Sequence, residues 1–204
     1  MIVSDIVELD KKRSKVYIDG EFAFVMYKGE FREYGIKLEA EISEETYDSI
    51  ITVLLPKRAT KRAMNLLQKR DYTEAKLREK LSEGLYPSDA IDAAIDYVKS
   101  YHYLDDERYA RDYITYHMPT KSKNRIVQDL TNKGIKKDLL IPILEEIYEE
   151  EDDDPESSQI EALLQKKHYS KELDYKEQQK IIAFLLRRGF SLDKVKRVIN
   201  SVSE

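Results

Sequence analysis

LSEGLYPSDAIDAAIDYV (81–98), LTNKGIKKDLLIPILEEI (130–147) and LLRRGFSLDKVKRVINSV (185–202) align with one another without a gap. Leu81, Leu130 and Leu185 open the register. Tyr86, Ile135 and Phe190 share the next apolar column, followed by Asp89, Asp138 and Asp193. Ile91, Leu140 and Val195, then Ile95, Leu144 and Ile199, then Val98, Ile147 and Val202, are spaced by four and three residues, one apolar stripe of a helix. The physical reading is a helix that stops near Gly134 or Gly189, where a left-handed backbone costs least without a Cβ, and an apolar residue that packs back. A second helix then starts with an Asp at the positive end of its dipole. In the first copy Gly84 falls one position early and Leu85 stands in the glycine column, so that helix end is expected to differ in detail. Three copies at this spacing mean a tandem array.

Each copy has a leading helical stretch, 58–69, 106–117 and 156–167, so each repeat reads as three helices and the set as about nine. Loops are expected near Asp71, at 103–105, 119–121 and 152–155, and at 168–173. Upstream the pattern changes period. KVYIDGEFAFVMY (15–27) alternates around Asp19-Gly20, a pair that favours a two-residue hairpin because both positions need positive φ. Val16 and Ile18 are expected to share a face with Phe22 and Phe24, and residues 2–9 to supply a third strand. A short helix closed by Gly35 and a helix capped by Ser43 follow. Pro56, suited to the first turn of a helix and not to its middle, predicts a break. The chain thus divides into an N-terminal β-hairpin and helix module (1–55) and helical repeats at 56–103, 104–151 and 152–204.

Of the 204 residues 41% are hydrophobic and 37% charged, a balance that suits thin helical layers better than one thick core. No Cys is present, which excludes disulfides and thiolate metal sites and fits a reducing compartment. The first residues, MIVSDIVELDKKR, lack the order of a leader and the apolar length of a membrane span, so a cytoplasmic protein is expected. The net charge of −5 hides an asymmetry. Residues 138–164 contain no Lys or Arg and carry the acidic run EEEDDDPE (149–156), read as a solvated helix end and linker, with an anion mimic as the functional alternative.

No catalytic constellation is visible. There is no G-x-x-x-x-G-K-[ST] or G-x-G-x-x-G, and His102, His117 and His168 lack zinc-ligand spacing. No catalytic residue, metal or cofactor is therefore expected. Basic residues do recur: Lys57, Arg58, Lys61, Arg62, Lys69 and Arg70 in the first repeat, and Lys121, Lys123, Arg125, Lys133, Lys136 and Lys137 in the second. Lys166, Lys167, Lys180, Arg187, Arg188, Lys194, Lys196 and Arg197 mark the third. They read as solvated faces or as contacts for an acidic surface or phosphate backbone. Tyr97, Tyr101, Tyr103, Tyr109, Tyr113 and Tyr116 crowd one region; most are expected to pack between helices, with one or two free to anchor a partner.

Residues 70–114, RDYTEAKLREKLSEGLYPSDAIDAAIDYVKSYHYLDDERYARDYI, resemble the signature region of the RecX family in "RDYxExxLxxKL" and "YLDDERYA". RIVQDLTNKGI (125–135) is similar to that family's second-repeat "RIxxxLxxKGI", and VYIDGEFAF (16–24) resembles the hairpin leader of its longer members. The resemblance implies a mainly α, elongated and curved array of three-helix repeats. It further implies a non-catalytic regulator that binds RecA protein and lies in the groove of the RecA–DNA filament, inhibiting ATP turnover and recombination during DNA repair and the SOS response. Such a filament is an acidic target, and Arg grips a carboxylate or phosphate with two bonds, so Arg58, Arg62, Arg70, Arg108, Arg111 and Arg125 are the expected partner-binding residues. A monomer with no membrane contact and at most weak contact with nucleic acid completes the expectation. Two rivals stand beside it. An independent DNA-binding helical module would show Arg, Asn or Gln beside small residues on one recognition helix, which no helix here does clearly; a passive scaffold would show no partner at all.

Overall fold

The computed structural model describes residues 1–151 and 154–201. By contacts the chain forms two compact units, Met1–Asp105 and Asp106–Glu204.

The first unit opens with strands β1 (Val3–Glu8), β2 (Arg13–Ile18) and β3 (Glu21–Tyr27), an antiparallel sheet in that order. Asp19 and Gly20 turn between β2 and β3 with φ of 50° and 91°, the two-residue turn that the pair predicts. Val16 faces Phe24 as expected. Phe22 does not share that face: a bulge after Val16 pairs it with Tyr17, and the two rings meet edge-on at 5.9 Å on the other side. One added residue reverses every later side chain, which alternation alone does not reveal.

Helix α1 (Glu30–Glu33) ends before Gly35, whose φ is 67°. Ser43 caps α2 (Glu44–Ser49) by accepting from the Thr46 N–H at 3.2 Å. The expected break at Pro56 is absent. Helical backbone continues from α2 through a wider π-helical stretch, Ile50–Leu54, into α3 (Leu55–Leu67). The extra residue per turn makes room for the Pro56 ring, which in an ordinary α-turn presses on the carbonyl four residues back. α4 (Glu74–Ser82) and α5 (Ser88–Ser100) complete the unit. Strand residues Val16, Phe24 and Met26, the buried face of α3 (Ala59, Ala63 and Leu66), and Leu77, Leu81, Ile95 and Leu104 form a single core.

The second unit holds α6 (Asp106–His117), α7 (Lys123–Asn132), α8 (Lys137–Glu149), α9 (Pro155–Lys166), α10 (Tyr175–Arg187) and α11 (Leu192–Ser201). With α3 to α5 these make nine helices among the described residues, and no strand follows Pro56 among them. The three sequence copies fall on α4–α5, α7–α8 and α10–α11. Leu81, Leu130 and Leu185 are each fully buried, and Ile95, Leu144 and Ile199 are all buried at the matching positions. Val202, the last residue of the third column, lies outside the described residues. Asp89, Asp138 and Asp193 each sit in the first turn of their helix. α6–α8 and α9–α11 have separate apolar clusters.

A buried polar seam ties these two three-helix groups together inside the unit. Ser122 caps α7, accepting from the Arg125 N–H at 3.3 Å, and its hydroxyl donates to the Arg188 carbonyl at 2.8 Å. Asn124 donates to the Gly189 carbonyl at 2.9 Å. Glu156, buried near the start of α9, accepts from the Lys123 backbone N–H at 2.8 Å and from Lys194 at 2.9 Å. A free amide at a helix start and a lysine thus satisfy one buried carboxylate.

Candidate partner-binding surface

The six arginines singled out by the sequence fall three in each unit. Arg58 and Arg62 lie one turn apart on α3, and Arg70 in the loop before α4; Arg108 and Arg111 lie on α6 and Arg125 on α7.

Arg58 is turned inward. Its guanidinium donates to the Val25 carbonyl at 2.9 Å and to Glu30 at 3.2 Å, and lies 4.4 Å above the Tyr27 ring. Its side chain is 12% exposed, so it holds the sheet to α3 and offers little to an outside partner. Arg62 is exposed and makes no ion pair among the described residues. Arg70 is exposed over the Tyr72 ring at 4.5 Å.

In the second unit Arg111 makes two bonds to Glu146, 3.0 and 2.8 Å, and two of 3.2 Å to Glu107, linking α6 to α8. These bonds hold its guanidinium more firmly charged than usual. Arg108 is exposed on the same helix. Arg125 is exposed and reaches Asp129 at 3.2 Å. Burial acts to raise the Asp129 carboxyl, but hydrogen bonds from Lys121 and Tyr113 outweigh it and leave the group below its ordinary value.

Two cation clusters were not legible as clusters. Arg13 of β2, Arg62 and Lys80 of α4 converge on one cavity of about 320 Å³. Lys121, Arg125, Arg187 and Arg188 surround another of about 250 Å³. In each, residues far apart in the chain meet, and no local spacing announces them.

The tyrosines depart from their expected role. Tyr97, Tyr101, Tyr103 and Tyr116 are exposed, and only Tyr109 and Tyr113 pack against the α6–α8 core. Tyr97 and Tyr101 stand 4.9 Å apart, and Tyr101 and Tyr103 stack at 5.8 Å, an aromatic group open to solvent. His102 and His168 occupy left-handed turns with φ of 56° and 51°. His117 lies against Tyr113 at 4.2 Å, where burial and then Lys121 push its imidazole below its ordinary value. Among the described residues no group of three His, Cys, Asp or Glu is placed to hold a metal ion, and no helix is long and apolar enough to cross a membrane.

Family models described as "RecX, first three-helix domain", "RecX, second three-helix domain" and "RecX, third three-helix domain" match residues 59–97, 105–140 and 154–199. A protein named Regulatory protein RecX from Caldanaerobacter subterraneus subsp. tengcongensis is 30% identical over 202 residues, 98% of this chain and 99% of its own. One of the same name from Clostridium perfringens (strain 13 / Type A) is 31% identical over 193 residues, 92% of this chain and 90% of its own. A solved structure described as "Crystal structure of regulatory protein RecX" covers 98% of both chains with a TM-score of 0.66 at 22% identity. The crystal structure of RecX from Lactobacillus salivarius covers 73% of this chain and 97% of its own with a TM-score of 0.62 at 24% identity. These two structural likenesses concern the fold.

Proposed function

The chain belongs to the RecX family, and from that premise we propose that it is a non-catalytic, cytoplasmic regulator that binds RecA protein and RecA–DNA filaments and inhibits their recombinase and ATPase activity. It acts as a monomer, without cofactor or membrane, and so modulates DNA repair and recombination. The observation that carries this is the match to regulatory proteins over nearly the full length of both chains. The repeats expected at 56–103, 104–151 and 152–204 are the units that carry the surface, and Arg62, Arg70, Arg108, Arg111 and Arg125 are its contact residues. Arg58 supports them from inside by fixing Tyr27 and the start of α3.

Exposed cations in each unit suit a filament rich in carboxylates and phosphates. Singly each exposed contact is worth under about 1 kcal/mol, so the effect rests on several acting together. The test is DNA-dependent ATP hydrolysis by RecA filaments in the presence of wild type or of an Arg62→Glu, Arg70→Glu, Arg125→Glu variant that stays folded by circular dichroism. Wild type is expected to inhibit, less so as salt is added, and the variant to inhibit weakly. Equal inhibition by both would remove the charge component and leave RecA binding in place. Absence of inhibition by wild type, with tight binding to naked single-stranded DNA, would replace the proposal by a DNA-binding module, the reading that the cations around Lys121 and Arg188 favour.

A further inference from the structure

The cavity at the junction of β2, β3, α3 and α4 is built and not incidental. Its walls are Arg13, Tyr27, Arg62, Lys80, Glu83, Gly84 and Tyr86, with the Glu83 carboxylate held by Lys80 at 2.7 Å. Arg58 lies behind it, 4.4 Å from the Tyr27 ring and 5.9 Å from the Tyr86 ring, so both tyrosines are propped by one half-buried guanidinium. Gly84 explains the closeness of the wall. A Cβ there would meet the Tyr86 ring and the Leu81 carbonyl at 3.0 Å each.

This accounts for the one irregularity in the repeat alignment. In the other two copies glycine takes the left-handed turn, with φ of 89° at Gly134 and 94° at Gly189. In the first copy the glycine sits one residue earlier, against Tyr86, and Leu85 adopts the strained turn at φ 60°. The glycine serves the pocket and the leucine bears the strain.

The charges around the cavity nearly cancel. Arg13 holds Asp10 at 2.7 Å, Lys80 holds Glu83 at 2.7 Å, and Arg58 holds Glu30 at 3.2 Å. Arg62 makes no ion pair among the described residues, which leaves one cation in excess. A nucleic-acid strand is gripped by successive unneutralised cations along a track. Here Asp10, Glu30 and Glu83 stand among the cations and repel a polyanion. A single carboxylate between the two tyrosine rings matches the surplus of one positive charge.

We propose that this pocket receives one glutamate or aspartate side chain from an acidic segment of a protein partner, with Arg62 as its direct grip and Arg13 and Lys80 lending charge. The proposal deepens the reading above only in that Arg62 belongs to the surface assigned there.

The experiment titrates the full-length protein into a fluorescein-labelled Gly/Ser peptide carrying one glutamate at low salt and follows fluorescence anisotropy. Wild type should bind. Arg62→Gln, at an exposed position that leaves folding intact, should weaken binding by about tenfold or more. Gly84→Ala, checked by circular dichroism, should weaken it in the same direction by narrowing the pocket. Arg187→Gln should bind as wild type, and a single-stranded oligothymidylate should not displace the peptide. No binding by wild type, equal loss in Arg62→Gln and Arg187→Gln, or displacement by the oligonucleotide would each overturn the proposal. The assay contains no RecA, so the pocket and the filament reading fail separately.

Discussion

Leu85 holds a φ of 60°, where its Cβ crowds the backbone, whereas Gly134 and Gly189 reach the matching conformation freely. Gly189 is further constrained, because a Cβ there would come within 2.5 Å of the Ser122 hydroxyl. Gly189→Ala is therefore expected to lower stability by about 1–2 kcal/mol for the backbone alone, and by more for the clash. Leu85→Gly is expected to cost under about 1 kcal/mol, since relief of strain offsets the lost side chain. Denaturant unfolding of both variants checks the pair; equal losses would deny that the two turns differ in strain. Asp129 gives a second test at this scale. Its carboxyl lies below its ordinary value of 3.8 in the fold, so the unfolded chain takes up the proton first as pH falls. The stability it supplies is full above about pH 4 and lost as pH falls through the lowered folded value. Asp129→Asn should flatten that part of the acid limb of a stability–pH curve and leave the slope between pH 5 and 8 unchanged. An unaltered acid limb would show that Lys121 and Tyr113 do not hold the charged form.

Among the elements, the repeated helices were the most legible, because each must bury one stripe and the stripe recurs at fixed columns. Their starts were legible too in principle. Thr73, Ser122 and Asp174 cap α4, α7 and α10 through the amide three residues on, a shared signal that a search for apolar columns passes over. The continuity of α2 with α3 was not legible: proline marks a boundary on average, and only the wider turn before it shows how this one is accommodated. The seam around Glu156 was equally hidden. The run 149–156 read as a solvated end, yet Glu156 is buried, held by the Lys123 amide and by Lys194. Removing one side of such a buried pair strands the other, so Glu156→Ala is expected to cost about 3 kcal/mol and Lys194→Ala a comparable amount. The double variant should cost less than the sum, measured by a thermal double-mutant cycle; simple additivity would mean that the two do not interact.

For the molecule as a whole, composition set the architecture well and the interaction surface poorly. Thin layers follow from having nearly as many charged residues as apolar ones, and three small clusters carry the described core. Which charges face a partner does not follow from counting them. Arg58 and Arg62 differ by one helical turn in sequence, and one is locked inside while the other is open. That difference is set by β2 and β3, whose contact with α3 no local pattern encodes. The same holds for Arg13 and Lys80, which become neighbours of Arg62 only once the sheet has folded onto the helices.

The shared core of the first unit also has a consequence for synthesis. Val16, Phe24 and Met26 are made early, yet their cover runs through Ala59 and Ile95 to Leu104. At ribosomal speeds of about 5–20 residues per second, the hairpin must wait roughly 4–16 s for the last of those residues. During that interval its apolar face is open to holdase chaperones and to other nascent chains. Each group of three helices in the second unit closes over a core supplied within its own stretch of about 45 residues, made in about 2–9 s, roughly half that interval. The nascent chain is thus most vulnerable at its beginning, where sheet and helices depend on one another.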